Sequence, residues 1–359
     1  MKAKRYLTEL LRLTLAAVLG TAFLIFPSET ASSAREALIY AASTVIPTLF
    51  PFMVVSKLLG SSRATQKLAE KAKGTLFKLF GLKSDAIISV MLGFISGFPI
   101  GALTVCDSYK DGRLTKAEAE RTLALSHNTG PSFPIGLVGA VLWNDRKLGV
   151  VLYMSQLLSW IMVALAYRAN ANAERGYPAA VHGKRQESKT PLISDIICTS
   201  ATACVSIAAF TAFMSVCAES IDLLLPNIPF YANVLFVTVL EFSQGCRQAA
   251  RIGGVFGIAL SSFAVSFGGL SAYMQGSSYA NKLGLSAKPM LLVKLIQGTL
   301  ASGLCVAYYT FFSSDNTFHA NKNQPALPSG IVSNLLLSVI ILSILLILLH
   351  KCVKNDKTS

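Results

Sequence analysis

The sequence predicts an all-α polytopic membrane protein: an inverted repeat with about eight transmembrane helices and two re-entrant hairpins. Three observations predict it. Of the 359 residues, 53% are hydrophobic and only 14% are charged, against roughly 25% charged in soluble domains. Uncharged apolar runs of about 20 residues, the length that crosses a bilayer core, recur along the chain. Clusters of Gly, Pro and Ser interrupt some of these runs at matched places in the two halves of the chain. The net charge of +14 does not indicate nucleic-acid binding, because so little charge sits among so many long apolar runs. A disordered chain would carry far fewer large apolar residues. The seven cysteines are an odd number and lie mostly in apolar runs (Cys198, Cys204, Cys217, Cys305), where they read as small packing residues rather than a disulfide framework.

Apolar runs lie at about 6–26, 37–59, 86–106, 122–143, 147–167, 193–216, 229–242, 252–275, 289–312 and 330–350. Lys2, Lys4 and Arg5 before the first run resemble a signal peptide. That run is long for an h-region, so it is read as an uncleaved helix. The polar stretches 61–84, 168–191 and 313–329 are too short to fold alone. Leu68, Ala72, Leu76, Leu79 and Phe80 fall at helical spacing among lysines, predicting an amphipathic helix on the cytoplasmic leaflet.

Orientation follows from Lys and Arg, which cytoplasmic loops retain. The 61–84 loop (Arg63, Lys67, Lys71, Lys73, Lys78, Lys83), the 168–191 loop (Arg168, Arg175, Lys184, Arg185, Lys189) and the tail (Lys351, Lys354, Lys357) belong inside. The stretch 218–232 carries Glu219 and Asp222 and no Lys or Arg, so it belongs outside. These placements conflict if every run crosses. They agree if 86–106 enters and returns, turning at Ser96-Gly97-Phe98-Pro99, where Gly and Pro break a helix. The same reading makes 229–251 a second hairpin from outside, with its break at Ser243-Gln244-Gly245. Each half then runs crossing, hairpin, crossing, crossing, in opposite orientations. Inverted repeats with broken helices mark transporters whose site lies where the breaks meet.

Each half has a second break after its hairpin. In the first it is Ser126-His127-Asn128-Thr129-Gly130-Pro131-Ser132, in a helix that a Thr115–Glu118 capping box starts near 116. In the second it is Ser266-Phe267-Gly268-Gly269-Leu270-Ser271, followed by Gln275. Non-helical backbone persists in a membrane only where protein or a watery cavity covers it, and half-helix N-termini hold anionic groups. The candidate substrate-binding residues are therefore Ser96, Gly97, Asn128, Thr129, Gly130, Ser132, Ser243, Gln244, Gly245, Ser271 and Gln275. Close packing of small residues would explain each break singly.

Glu241 at the end of an apolar run is a candidate for coupling or for binding a cation. It could instead be a carboxylate at the interface, or one paired with Arg247 or Arg251. His127 is a candidate relay or a packing histidine. Lys294 either meets a substrate anion or snorkels to the interface. No metal-ligand cluster, phosphate loop, H-E-x-x-H or G-x-S-x-G is present, so no cofactor, metal or enzymatic activity is expected.

The segments Gly93–Ala102 (GFISGFPIGA), His127–Phe133 (HNTGPSF) and Phe267–Gln275 (FGGLSAYMQ) resemble, in the same order, the sporulation integral membrane proteins of the YlbJ type, also called SpoVV. That family sits in the nucleoside-recognition or "Gate" group. The apolar runs, Lys and Arg placement and breaks divide the chain into an N-terminal transmembrane helix (1–34), a first repeat (35–170), a cytoplasmic linker (171–191), a second inverted repeat (192–315) and a C-terminal helix with a basic tail (316–359). The resemblance covers roughly 35–315 and makes the repeats Gate-like. It implies a role in endospore formation, moving dipicolinic acid from the mother cell across the outer forespore membrane. The expected partners are a small anionic solute and the lipid bilayer. A nucleoside or other polar solute, or a non-transporting scaffold for spore assembly, are the alternatives.

Overall fold

The computed structural model describes residues 2–60, 62, 67, 71, 79–82, 84–168, 192–225 and 227–312. No strand occurs among them. The linker 171–191, the C-terminal run 330–350 with its tail and most of the amphipathic stretch 61–84 lie outside the described residues.

The chain begins with α1 (Lys2–Ile25) and α2 (Pro27–Tyr40). Pro27 stands in the first turn of α2, where its missing N–H and fixed φ do no harm. The 27–36 stretch between the first two apolar runs is helical. A wide-turn segment, Ala41–Val45, carries α2 on into α3 (Ile46–Gly60). After it come α4 (Ser84–Ser96), α5 (Ile100–Lys110), α6 (Lys116–Ser126), the wide-turn α7 (Ser132–Leu142) and α8 (Arg146–Arg168). The second half holds α9 (Ile193–Leu224), α10 (Phe230–Leu240), α11 (Phe242–Ile252), α12 (Gly254–Phe267), α13 (Gly269–Lys282) and α14 (Lys288–Phe312).

Five helical segments are long and apolar enough to cross a membrane: Pro27–Leu59, Arg146–Arg168, Ile193–Leu224, Gly254–Lys282 and Lys288–Phe311. Shorter apolar helices are Arg12–Ile25, Asp85–Ser96, Ser132–Leu142 and Phe230–Leu240. The about eight expected crossings are thus five of sufficient length among the described residues. The 122–143 run falls short because it is cut in two at 127–131. Large apolar side chains such as Leu24, Val205 and Phe311 are 85%, 68% and 82% exposed, as the exterior of an integral membrane protein requires.

The chain turns back on itself at 97–99. Gly93 and Gly101 lie in van der Waals contact across the turn, a Cβ built on Gly101 falling 3.0 Å from Gly93 Cα. In one straight helix those residues would stand roughly 12 Å apart. A Cβ on either glycine would run into the Ser126 carbonyl oxygen that ends α6, so α4, α5 and the end of α6 touch backbone to backbone. Gly97 makes the turn at φ +77°, a conformation that costs other residues roughly 1–2 kcal/mol.

The second turn-back lies at Glu241, not at Ser243-Gln244-Gly245 as expected. Gly245 packs on Thr238, a Cβ there falling 2.6 Å from Thr238 Cα. Ser243, Gln244 and Gly245 form the first turn of α11. Such residues are tolerated in a helix whose N-terminus is capped, and Glu241 caps it, accepting from Gln244 N at 2.7 Å.

The capping box is present as read: Glu118 N donates to Thr115 Oγ1 and Thr115 N to Glu118 Oε2. Arg113 ties the turn before α6 to Asp85 at the start of α4, 2.7 Å away. One apolar cluster packs around Phe94, Trp160 and Met290 from α4, α8 and α14. A second, around Phe98, Phe133 and Phe242, gathers residues beside all four breaks.

Candidate functional site

The four interruptions meet at one place. Phe98, at the tip of the first hairpin, stands edge to face with Phe242, whose ring also lies 4.7 Å from Phe133. A Cβ on Gly268 would fall 2.6 Å from Phe98 Cζ, and one on Gly130 would fall 2.9 Å from Ile95 O. The helices that follow the breaks all begin here: α5 after Pro99, α7 at Ser132, α11 at Phe242 and α13 at Gly269. Their aligned dipoles favour negative charge at this point.

Between them lies a cavity of about 30 Å³, room for little more than a water molecule. Seven of the eleven expected binding residues line it: Ser96, Gly97, Thr129, Gly130, Ser132, Ser243 and Gln275. Ser96 and Gln275 are only 3% and 4% exposed, yet Ser96 Oγ and Gln275 Oε1 have no hydrogen-bond partner among the described residues. Buried polar atoms are rarely left so, and a site for a polar ligand or water is one explanation.

The other expected residues take different positions. Asn128 lies behind the lining. Its Oδ1 accepts from Lys294 Nζ at 2.6 Å and its Nδ2 donates to Leu125 O at 2.8 Å. Gln244 lines a separate, outer cavity. Gly245 packs on Thr238. Ser271 donates to Glu241 Oε1 at 3.5 Å.

Two ionisable groups lie behind the cavity wall, Glu241 one hydrogen bond behind Ser243 and Lys294 three behind Thr129. Lys294 is 2% exposed, so it does not snorkel. It donates to Asn128 Oδ1 and to Gln297 Oε1, both at 2.6 Å. Gln297 reaches Gln156 O at 3.4 Å, and Gln156 holds Thr129 through its O (3.0 Å) and its hydroxyl. On the other side Glu241 is 1% exposed. Its Oε2 accepts from Ser243 Oγ at 2.6 Å, and its Oε1 lies 3.5 Å from Thr211 Oγ1. The pairing of Glu241 with Arg247 or Arg251 is absent: Arg247 lies over the Tyr40 ring, 5.0 Å from its centre. Among the described residues no carboxylate lies within ion-pair distance of Lys294. His127, 2% exposed, stacks 4.4 Å from Phe98, and neither ring nitrogen has a hydrogen-bond partner of good geometry.

Gln156, Gln297, Thr211 and Tyr40 were not singled out from the sequence. The amides are single polar residues inside apolar runs, and Gln297 stands one turn from Lys294. That spacing is the one local sign of their role.

The outer cavity holds about 430 Å³ and is lined by Glu29, Glu36, Glu219, Asp222, Gln244, Arg247 and Arg251 among others. Tyr40 stands between the two cavities, under Arg247 and with its hydroxyl 3.4 Å from Ser243 O. No cluster of His, Cys, Asp or Glu suited to a metal occurs among the described residues.

No family model matches the chain, and no solved structure does. The chain is similar to the sporulation integral membrane protein YlbJ of Bacillus subtilis (strain 168), with 22% identity over 332 residues, which covers 79% of this chain and 81% of that protein. A likeness of that extent bears out the resemblance to the YlbJ type drawn from the three motifs.

Proposed function

We propose, from its likeness to a sporulation integral membrane protein, that this chain acts in sporulation as a transporter or facilitator for a small organic anion. Dipicolinate is the solute and the outer forespore membrane the place that the resemblance implies. The observation that carries the reading is the meeting of four helix interruptions around one cavity with unpartnered Ser96 and Gln275 oxygens in its wall. Irregular backbone at such depth is stable only beside protein or a watery space. The four helix N-termini and the buried Lys294 favour an anion over a cation there.

We read the element order as an inverted repeat whose hairpins are re-entrant. Crossing α2–α3, hairpin α4–α5, broken helix α6–α7 and crossing α8 correspond to α9, α10–α11, α12–α13 and α14. The cavity is too small for an organic solute, so the site is closed in this arrangement and a transport cycle opens it.

The test is dipicolinate uptake into vesicles containing the purified full-length protein. Uptake by the wild type, reduced at least about tenfold in Ser96→Ala and Gln275→Ala at equal protein content, is expected for loss of polar contacts in a buried site. Uptake unchanged in both variants removes the cavity from the mechanism. Absence of uptake by the wild type, with a nucleoside carried instead, favours the nucleoside reading. Absence of uptake of any solute favours the scaffold.

A further inference from the structure

We infer that Glu241 is the proton-binding group of this site and that anion and proton occupy it together. The inference rests on the anion-transport reading and goes beyond it. Four features of the geometry carry it.

First, the cavity stands between two buried groups of opposite sign that do not pair with each other. Lys294 bonds only to the amides of Asn128 and Gln297. Glu241 bonds to the Ser243 hydroxyl and the Gln244 N–H, with Thr211 and Ser271 hydroxyls at the edge of reach. A buried charge without a counter-charge is unfavourable; in the empty site the Ser243 hydroxyl, the Gln244 N–H and the α11 N-terminus hold Glu241 ionised, while Lys294 has only neutral amides.

Second, an entering anion answers only one of them. It brings negative charge to the side where Lys294 stands, behind the Gln297–Gln156–Thr129 chain. The same anion is repelled by an ionised Glu241 across a space no wider than one small solute. A proton on Glu241 removes that repulsion.

Third, Glu241 caps the N-terminus of α11. It already places negative charge at one of the four helix ends that would otherwise attract the solute. Protonation releases that end to the anion.

Fourth, the carboxyl can be reached. Ser243 lines the cavity and donates to Glu241 Oε2, so one hydroxyl joins the acid to the solute space. The titratable groups facing Glu241 are Tyr40, from α2, and Cys246, one turn further along α11, with Arg247 beyond Tyr40. The helices α9 and α13 present hydroxyls, Thr211 and Ser271. None of these neighbours supplies a cation in contact with the carboxyl, which leaves a proton from water to neutralise it. In the cycle an O–H bond forms on Glu241 when the anion binds on one face. It breaks, returning the proton to water, when the anion leaves on the other.

Two measurements on the full-length protein test this, with dipicolinate as the probe. The first is calorimetric titration in two buffers of different ionisation enthalpy. Wild type is expected to take up about one proton per dipicolinate bound, and Glu241→Gln none. The second is uptake into vesicles with a lumenal pH dye and a clamped membrane potential. Each pH unit imposed across the membrane is expected to change the wild-type accumulation ratio about tenfold. Wild-type binding and uptake with no proton movement overturn the coupling and leave anion transport standing. A proton still taken up by Glu241→Gln assigns it to another group and overturns the role of Glu241. Wild type that neither binds nor carries dipicolinate overturns the transport reading and this inference with it. The wild-type measurements decide the coupling even if Glu241→Gln does not fold.

Discussion

Phe98 and Phe242 stand edge to face with ring centroids 5.4 Å apart, so the tips of two helical hairpins from different halves of the chain touch. Phe242 also lies against Phe133, so one ring joins three of the four interruptions. Phe242→Ala is expected to destabilise the protein by about 3 kcal/mol or more, as for aromatic truncation in a packed core. Thermal unfolding in detergent measures this, and an unchanged melting temperature would place the junction outside the stabilising core.

Lys294→Met separates the charge of this lysine from its bulk. Met removes the cost of burying a cation without a counter-charge, and Gln297 Nε2, already 3.3 Å from Asn128 Oδ1, can take over one of the two lost hydrogen bonds. The melting temperature is expected to hold or rise. Dipicolinate uptake is expected to fall at least about tenfold, because the counter-charge for an anion is gone. A variant that carries dipicolinate normally would show Lys294 to be structural.

The Thr115–Glu118 capping box lies away from the cavity. Thr115→Ala is expected to cost about 1 kcal/mol of stability, read as a lower melting temperature with uptake per folded molecule unchanged. Loss of uptake without loss of stability would tie the start of α6 to transport.

Topology can be read with membrane-impermeant thiol reagents in a Cys198→Ser background, since Cys198 is an exposed native thiol. A cysteine replacing Lys110 is expected to react from the cytoplasm and one replacing Arg146 from the opposite face. Reaction of both from one side would contradict the inverted arrangement of hairpin and crossings.

The first-half interruptions were readable because their signals are local. Gly97-Phe98-Pro99 and Gly130-Pro131 break helices by their own backbone limits, and the capping box marks where α6 starts. The turn at Glu241 was misplaced by a few residues. Ser243-Gln244-Gly245 looks like a breaker, whereas the acidic residue before it is a helix cap. The network behind the cavity was legible only at its ends. Asn128 and Lys294 stood out singly, but Gln156 and Gln297 join them through contacts between residues far apart in the chain. Such contacts leave no trace in spacing or composition.

Gly93 and Gly101 press on the Ser126 carbonyl with no side chain between. A side chain at either glycine would drive these backbones apart. The first hairpin and the helix it touches must therefore travel as a single rigid block. In the transport proposed above, exchange between the two faces then comes from that block tilting against α12–α13, along the seam where the Phe98 ring rests on Gly268.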